Sequence, residues 1–136
     1  MYLEAVRKYY GKDFNLNCAE AMIYAGNEVF NLNLDKNTLK TMAAFGGGMG
    51  VEEACGAMTG GLAVLGILFV EDRAKESDRI KNLSKKFIQG FRDKLGTENC
   101  KKLKGLYRKD ADDCNYIMEV AAEVLQDLIE EEGFRK

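Results

Sequence analysis

The sequence predicts an all-α fold, an irregular antiparallel bundle of five to seven helices interrupted by one Gly-rich loop. Three observations predict it. Apolar residues recur at helical spacing along most of the chain. The alternation of apolar and polar residues that marks a half-buried strand is nearly absent. None of the 136 residues is proline, which fits a largely helical chain.

Each element has its own signals. The first helix spans roughly Tyr2 to Tyr10 and stops near Gly11. The second begins near Cys18, carries Ala21, Met22, Ala25 and Val29 at helical spacing, and ends near Asn31. The third follows the cap candidate Asp35 and includes Leu39, Met42 and Ala43. Then comes Phe45-Gly46-Gly47-Gly48-Met49-Gly50, where glycines break the helix and permit positive φ. A fourth helix is expected from about Glu53 to Val70, with small residues at Cys55, Gly56, Ala57, Gly60, Gly61 and Ala63. Each interior glycine costs about 1 kcal/mol against alanine, so such a helix gains from close approach by a backbone or a cofactor. The fifth runs from about Ser77 to Leu95, with Ile80, Leu83, Phe87 and Phe91 as its stripe and Gly96 as its stop. A short helical turn holds Cys100 and Leu103. The last helix covers about Asp113 to Glu132, with Ile117, Val120, Ala121, Val124, Leu125 and Leu128 inward.

Residues 1–136 read as a single domain, without linker, repeat or low-complexity segment. With 20 basic and 22 acidic residues, the chain offers no concentrated basic face, and no nucleic-acid partner is expected. The local run Lys101, Lys102, Lys104, Arg108 and Lys109 reads as a solvated face. Met1 leads into Tyr2-Leu3-Glu4-Ala5 without the apolar segment of a signal peptide. The longest uncharged stretch, Ala54 to Val70, is shorter than the ~20 residues of a membrane span. A cytoplasmic protein without stable membrane insertion is therefore expected. Ile67, Leu68, Phe69 and Val70 are candidates for a homodimer face.

Four cysteines and no histidine are the strongest chemical signal. Each cysteine follows a plausible helix-start signal. Asn15 and Asn17 precede Cys18, Glu52 and Glu53 precede Cys55, Thr97 and Asn99 precede Cys100, and Asp112 and Asp113 precede Cys114. A helix N-terminus presents unpaired N–H groups and partial positive charge, which favour thiolate over thiol. That points to redox or metal chemistry. The competing reading is plain burial, since free cysteine is among the most buried residue types. A histidine-containing triad is impossible, and without C-x-x-C-H no covalent haem is expected. The Gly46–Gly50 loop lacks the lysine of a phosphate-binding loop and follows no strand. Glu20, Glu52 and Glu53 suit proton shuttling or helix-start complementation, Thr59 suits local structure, and Tyr9, Tyr10, Tyr24, Tyr107 and Tyr116 suit redox chemistry or packing.

Asn17-Cys18-Ala19-Glu20-Ala21, Phe45-Gly46-Gly47-Gly48-Met49-Gly50, Cys55-Gly56-Ala57-Met58-Thr59-Gly60-Gly61, and then Cys100 and Cys114, resemble the C_GCAxxG_C_C family, described as redox-active. The likeness covers essentially the whole chain. It implies a small helical cytoplasmic protein whose defining residues are Cys18, Cys55, Cys100 and Cys114. Related domains are similar to an iron–sulfur-binding part of a multihaem cytochrome.

Two chemistries follow. In the first, Cys18, Cys55, Cys100 and Cys114 act as four thiolate ligands, of an iron–sulfur cluster foremost and of zinc as the lesser choice. Gly46, Gly47 and Gly48 would offer N–H groups to the cofactor, and Gly56 and Gly60 would leave it room. In the second, the same cysteines are the catalytic groups of a metal-free thiol–disulfide protein, pairing Cys18 with Cys55 or Cys100 with Cys114. Either chemistry requires a redox partner that the sequence does not specify.

Overall fold

The computed structural model describes residues 1–108 and 114–134. Its helices are α1 (Tyr2–Tyr10), α2 (Cys18–Val29), α3 (Lys36–Lys40), α4 (Gly56–Phe69), α5 (Arg79–Leu95), α6 (Cys100–Tyr107) and α7 (Asn115–Glu131). The fold is all-α. The described residues hold one isolated antiparallel bridge, between Ala54 and Asn99.

Local signals set the boundaries. Asn17 caps α2 with a reciprocal box: its side chain accepts from the Glu20 N–H at 2.8 Å, and Glu20 accepts from the Asn17 N–H at 3.0 Å. Glu20 is thereby a capping residue. Asp35 caps α3 through the Thr38 N–H at 2.8 Å. Gly96 ends α5 at φ 91°, a conformation that glycine adopts without penalty.

Four boundaries differ from the sequence expectation. α4 starts at Gly56 rather than Glu53, because the bridge holds Ala54 extended. α3 stops at Lys40, and Met42 and Ala43 lie in the turns beyond it. α6 is a helix of 8 residues rather than one turn. α5 starts at Arg79, after a short 3₁₀ turn at Ala74–Glu76. The expected helix start at Asp112 and Asp113, and Lys109 of the basic run, lie outside the described residues.

α4 is apolar all round, as a helix enclosed by others must be. It packs on α2, α5 and α7, while α1 lies across α2 and α7. The main core joins Val6, Met22, Val64, Leu65, Phe87, Phe91, Ile117, Leu125 and Ile129. Phe87 and Phe91 are fully enclosed, each contributing about 1.5–3 kcal/mol by burial. On the other face of α2, Ala19, Ile23, Leu39 and Met42 form a smaller cluster that anchors α3. Buried Tyr2 donates its hydroxyl to the Met22 carbonyl at 2.9 Å, which satisfies the polar atom and ties α1 to α2. Ile67, Leu68 and Phe69, offered above as a dimer face, are half-buried within their own chain. No described helix is long and apolar enough to cross a membrane.

Close approach of α2 and α4 depends on glycine. A Cβ on Gly60 would stand 2.6 Å from the Ala19 carbonyl oxygen and 2.8 Å from Met22 Cβ. Because backbone blocks it, Gly60→Ala should push the helices apart. Overpacking of that kind costs about 1–3 kcal/mol. That outweighs the gain in helix propensity, at most about 1 kcal/mol. A lower urea midpoint is the expected result, and a higher one would show that the interface tolerates the methyl group.

A cavity lined by four helix-start cysteines

The four cysteines sit at the starts of four helices. Cys18 is the first residue of α2 and Cys100 the first of α6, while Cys55 and Cys114 are the N-cap residues of α4 and α7. All four line one cavity of about 210 Å³. Leu16, Leu103, Ile117 and Met118 make its apolar wall, Lys104 and Arg108 bring positive charge to it, and Gly47, Gly56 and Tyr10 complete it.

Different local devices hold each cysteine. The Asn17–Glu20 box fixes Cys18, and the Asn17 amide also donates to the Ala43 carbonyl at 2.9 Å, pinning the approach to the Gly-rich loop. Cys55 and Cys100 are fixed against each other. The Cys55 N–H donates to the Glu98 carbonyl at 2.8 Å, and the Cys100 N–H donates to the Glu53 carbonyl. In an antiparallel bridge centred on Ala54 and Asn99, side chains alternate faces, so Cys55 and Cys100 are diagonal neighbours on one face. Arg92 braces this arrangement by a two-pronged ion pair to Glu98, at 2.6 and 3.0 Å. The Asn99 side chain then caps α6 through the Lys102 N–H at 3.0 Å. Cys114 is held from α1: its N–H donates to the Tyr10 hydroxyl at 3.0 Å.

The Gly-rich loop packs over these helix starts. Gly47, Gly48, Met49 and Gly50 all have positive φ, from 62° to 77°, and form a single left-handed turn. A Cβ on Gly48 would overlap the Glu53 nitrogen and lie 2.7 Å from Cys100 Cβ. One on Gly46 would overlap the Asn17 side chain. Of the glycines singled out by sequence, Gly47 and Gly56 line the cavity. Gly46 instead makes room for the Asn17 side chain, and Gly48 and Gly60 allow backbone segments around the cavity to approach.

Burial decides the electrostatics of the thiols. It pushes Cys55 from 9.0 up to about 12, aided by negative charge on Cys18 and Cys100, while the Ala57 and Met58 N–H groups pull it back. Cys100 and Cys114 are also raised, again chiefly by burial, with Lys104 opposing the rise at Cys100 and Arg108 at Cys114. This corrects the expectation of thiolates at helix starts for Cys55, Cys100 and Cys114, where desolvation outweighs the dipole. Negative charge on Cys18 raises all the other three, so Cys18 is the neighbour they share.

A thiol whose folded pKa is raised ionises first in the unfolded chain. The stability it contributes is present below about 9 and is lost as the pH rises toward about 12. The reduced, metal-free protein should therefore unfold at lower urea when the pH is moved from neutral into that window. The drop should be smaller in Cys55→Ser. Equal drops in the two proteins would show that the Cys55 thiol is not responsible.

The remaining sequence candidates have structural roles or lie apart. Glu52 pairs with Lys104 at 3.2 Å near the cavity. Glu53 contributes its carbonyl to the bridge, and the Thr59 hydroxyl donates to the Gly56 carbonyl at 3.2 Å. Tyr9 donates to Glu28, Tyr24 meets Lys36, and Tyr107 stacks on Tyr116. Sequence reasoning did not separate Tyr10 from these tyrosines, nor Lys104 and Arg108 from the basic run. Tyr10 reaches Cys114 across 104 positions, and no local pattern encodes such a contact.

Among the described residues, no group of three or more Cys, Asp or Glu side chains stands where it could hold a metal ion. A family model described as "Putative redox-active protein (C_GCAxxG_C_C)" matches residues 16–128. No curated protein and no solved structure matches the chain.

Proposed function

Because the chain belongs to the C_GCAxxG_C_C family, described as redox-active, we propose that it is an electron-transfer protein in which Cys18, Cys55, Cys100 and Cys114 together hold an iron–sulfur cluster. One observation carries the reading: four helix starts each deliver one cysteine to the same cavity. Independent core burial would scatter the four.

The donor set suits the cluster. Iron–sulfur clusters take mostly cysteine thiolates, and the chain has no histidine to compete. A single zinc ion needs its sulfurs about 2.3 Å from one point, and the described side chains offer no such group. A cluster of several irons spreads its ligands over a wider span, so it suits this cavity better. When bound, the cluster supplies a one-electron couple whose potential follows its net charge, its hydrogen bonds and its exposure.

The chain's own residues do the rest. The Ala57 and Met58 N–H groups at the start of α4 favour the Cys55 thiolate. Lys104 and Arg108 offset the negative charge of four thiolates. Leu16, Leu103, Ile117 and Met118 limit water around the sulfurs. Because Cys55, Cys100 and Cys114 are protonated in the metal-free protein, loading releases protons.

Iron and acid-labile sulfide, assayed on protein prepared without oxygen, test the reading. Comparable amounts of both, with visible absorption that bleaches on reduction, are expected. Neither element after anaerobic reconstitution, together with a two-electron thiol–disulfide couple, would replace the cluster with the metal-free alternative.

A further inference from the structure

Cys114 is held differently from the other cysteines. Its helix lacks a side-chain cap: Cys114 is itself the N-cap of α7, at φ −112° and ψ 38°. Cys18 has the Asn17–Glu20 box, and Cys55 and Cys100 share a bridge. For Cys114 the described bond to the backbone N–H comes from the Tyr10 hydroxyl, at 3.0 Å. Tyr10 also lines the cavity beside Cys114. Tyr10 lies outside the residues 16–128 matched by the family model, so this contact belongs to the chain beyond the matched segment.

Tyr10 is also well anchored. α1 is tied to α2 by the Tyr2 hydroxyl on the Met22 carbonyl. It is tied to α7 by Gln126, whose side-chain oxygen accepts from the Tyr2 and Leu3 N–H groups at 2.8 and 3.3 Å. Arg7 adds an ion pair with Glu119 at 3.2 Å. A hydroxyl at the end of so braced a helix is a fixed strut.

We propose that Tyr10 is a positioning residue for Cys114, its hydroxyl accepting from the Cys114 N–H. The proposal rests on the reading of Cys114 as a cluster ligand. The potential of a cluster follows the hydrogen bonds and the exposure around its ligands. Outer partners of this kind orient the ligand as well.

The test is Tyr10→Phe, with Tyr9→Phe as control, since Tyr9 lies on the same helix but bonds Glu28 at 2.7 Å. Tyr10→Phe should retain iron, shift the reduction potential and speed hydrogen exchange at the Cys114 amide in the reduced, metal-free protein. Tyr9→Phe should change neither. Wild-type potential and wild-type exchange in Tyr10→Phe would overturn the proposal. Absence of iron from the wild-type protein would instead refute the cluster reading, and the exchange rate would still decide the role of Tyr10. If Tyr10→Phe does not fold, 3-fluorotyrosine at position 10, a weaker acceptor, should speed exchange at the Cys114 amide. An unchanged exchange rate there would also overturn the proposal.

Discussion

Replacing Cys55 with serine is expected to strip the protein of iron while leaving its helices in place. Both halves of that expectation follow from where Cys55 sits. It is 6% exposed and N-caps α4, beside the N–H groups of Ala57 and Met58, the second and third residues of that helix. Those are the donors that a capping side chain satisfies, and serine is among the best caps. A serine hydroxyl oxygen there can therefore accept from them and support the helix start. The Cys55 N–H that helps to form the bridge is backbone and is kept. As a ligand the substitution fails, because an alcohol is far harder to deprotonate than a thiol and iron–sulfur clusters are bound mostly through thiolate. Circular dichroism should match the wild type, while iron and sulfide fall to background. Unchanged metal content would remove Cys55 from the ligand set.

Gly56→Ala should also lose the cofactor, for a steric reason. A Cβ at Gly56 would overlap the Cys18 sulfur, while its backbone neighbours, the Ala19 nitrogen and the Phe45 oxygen, stand at 3.2 Å. The serious obstacle is the end of a side chain, which can turn away. The backbone has to yield by only a few tenths of an ångström. Turning the sulfur moves Cys18, the neighbour shared by the other three cysteines. Alanine in the first turn also gains up to about 1 kcal/mol of helix propensity. Near-wild-type stability with depleted iron is thus expected. Gly60→Ala, one helical turn along α4, should show the reverse pattern, weakened packing without direct contact with a sulfur. Full iron in Gly56→Ala would mean that the position of Cys18 does not control the site.

Much of the fold was legible because helix signals are local. The stripe Leu83, Phe87 and Phe91 and the stop at Gly96 predicted α5 almost to its ends, and Asn17 and Asp35 predicted two caps. The helix-start position of the cysteines was legible for the same reason. Their shared cavity was not, because it is built by distant contacts. The Ala54–Asn99 bridge aligns Cys55 with Cys100, and Tyr10 reaches Cys114 from the far end of the chain. The charge state of the thiols was misread because a cap signal reports the helix dipole and nothing about burial. Desolvation is set by Leu103, Ile117, Met118 and their neighbours, which arrive from other helices.

X-ray absorption at the iron edge, on protein purified without oxygen, tests the shared ligand set most directly. The account predicts a first shell made of sulfur alone, with iron–iron scattering beyond it. A shell of oxygen or nitrogen, or iron without iron neighbours, would contradict it.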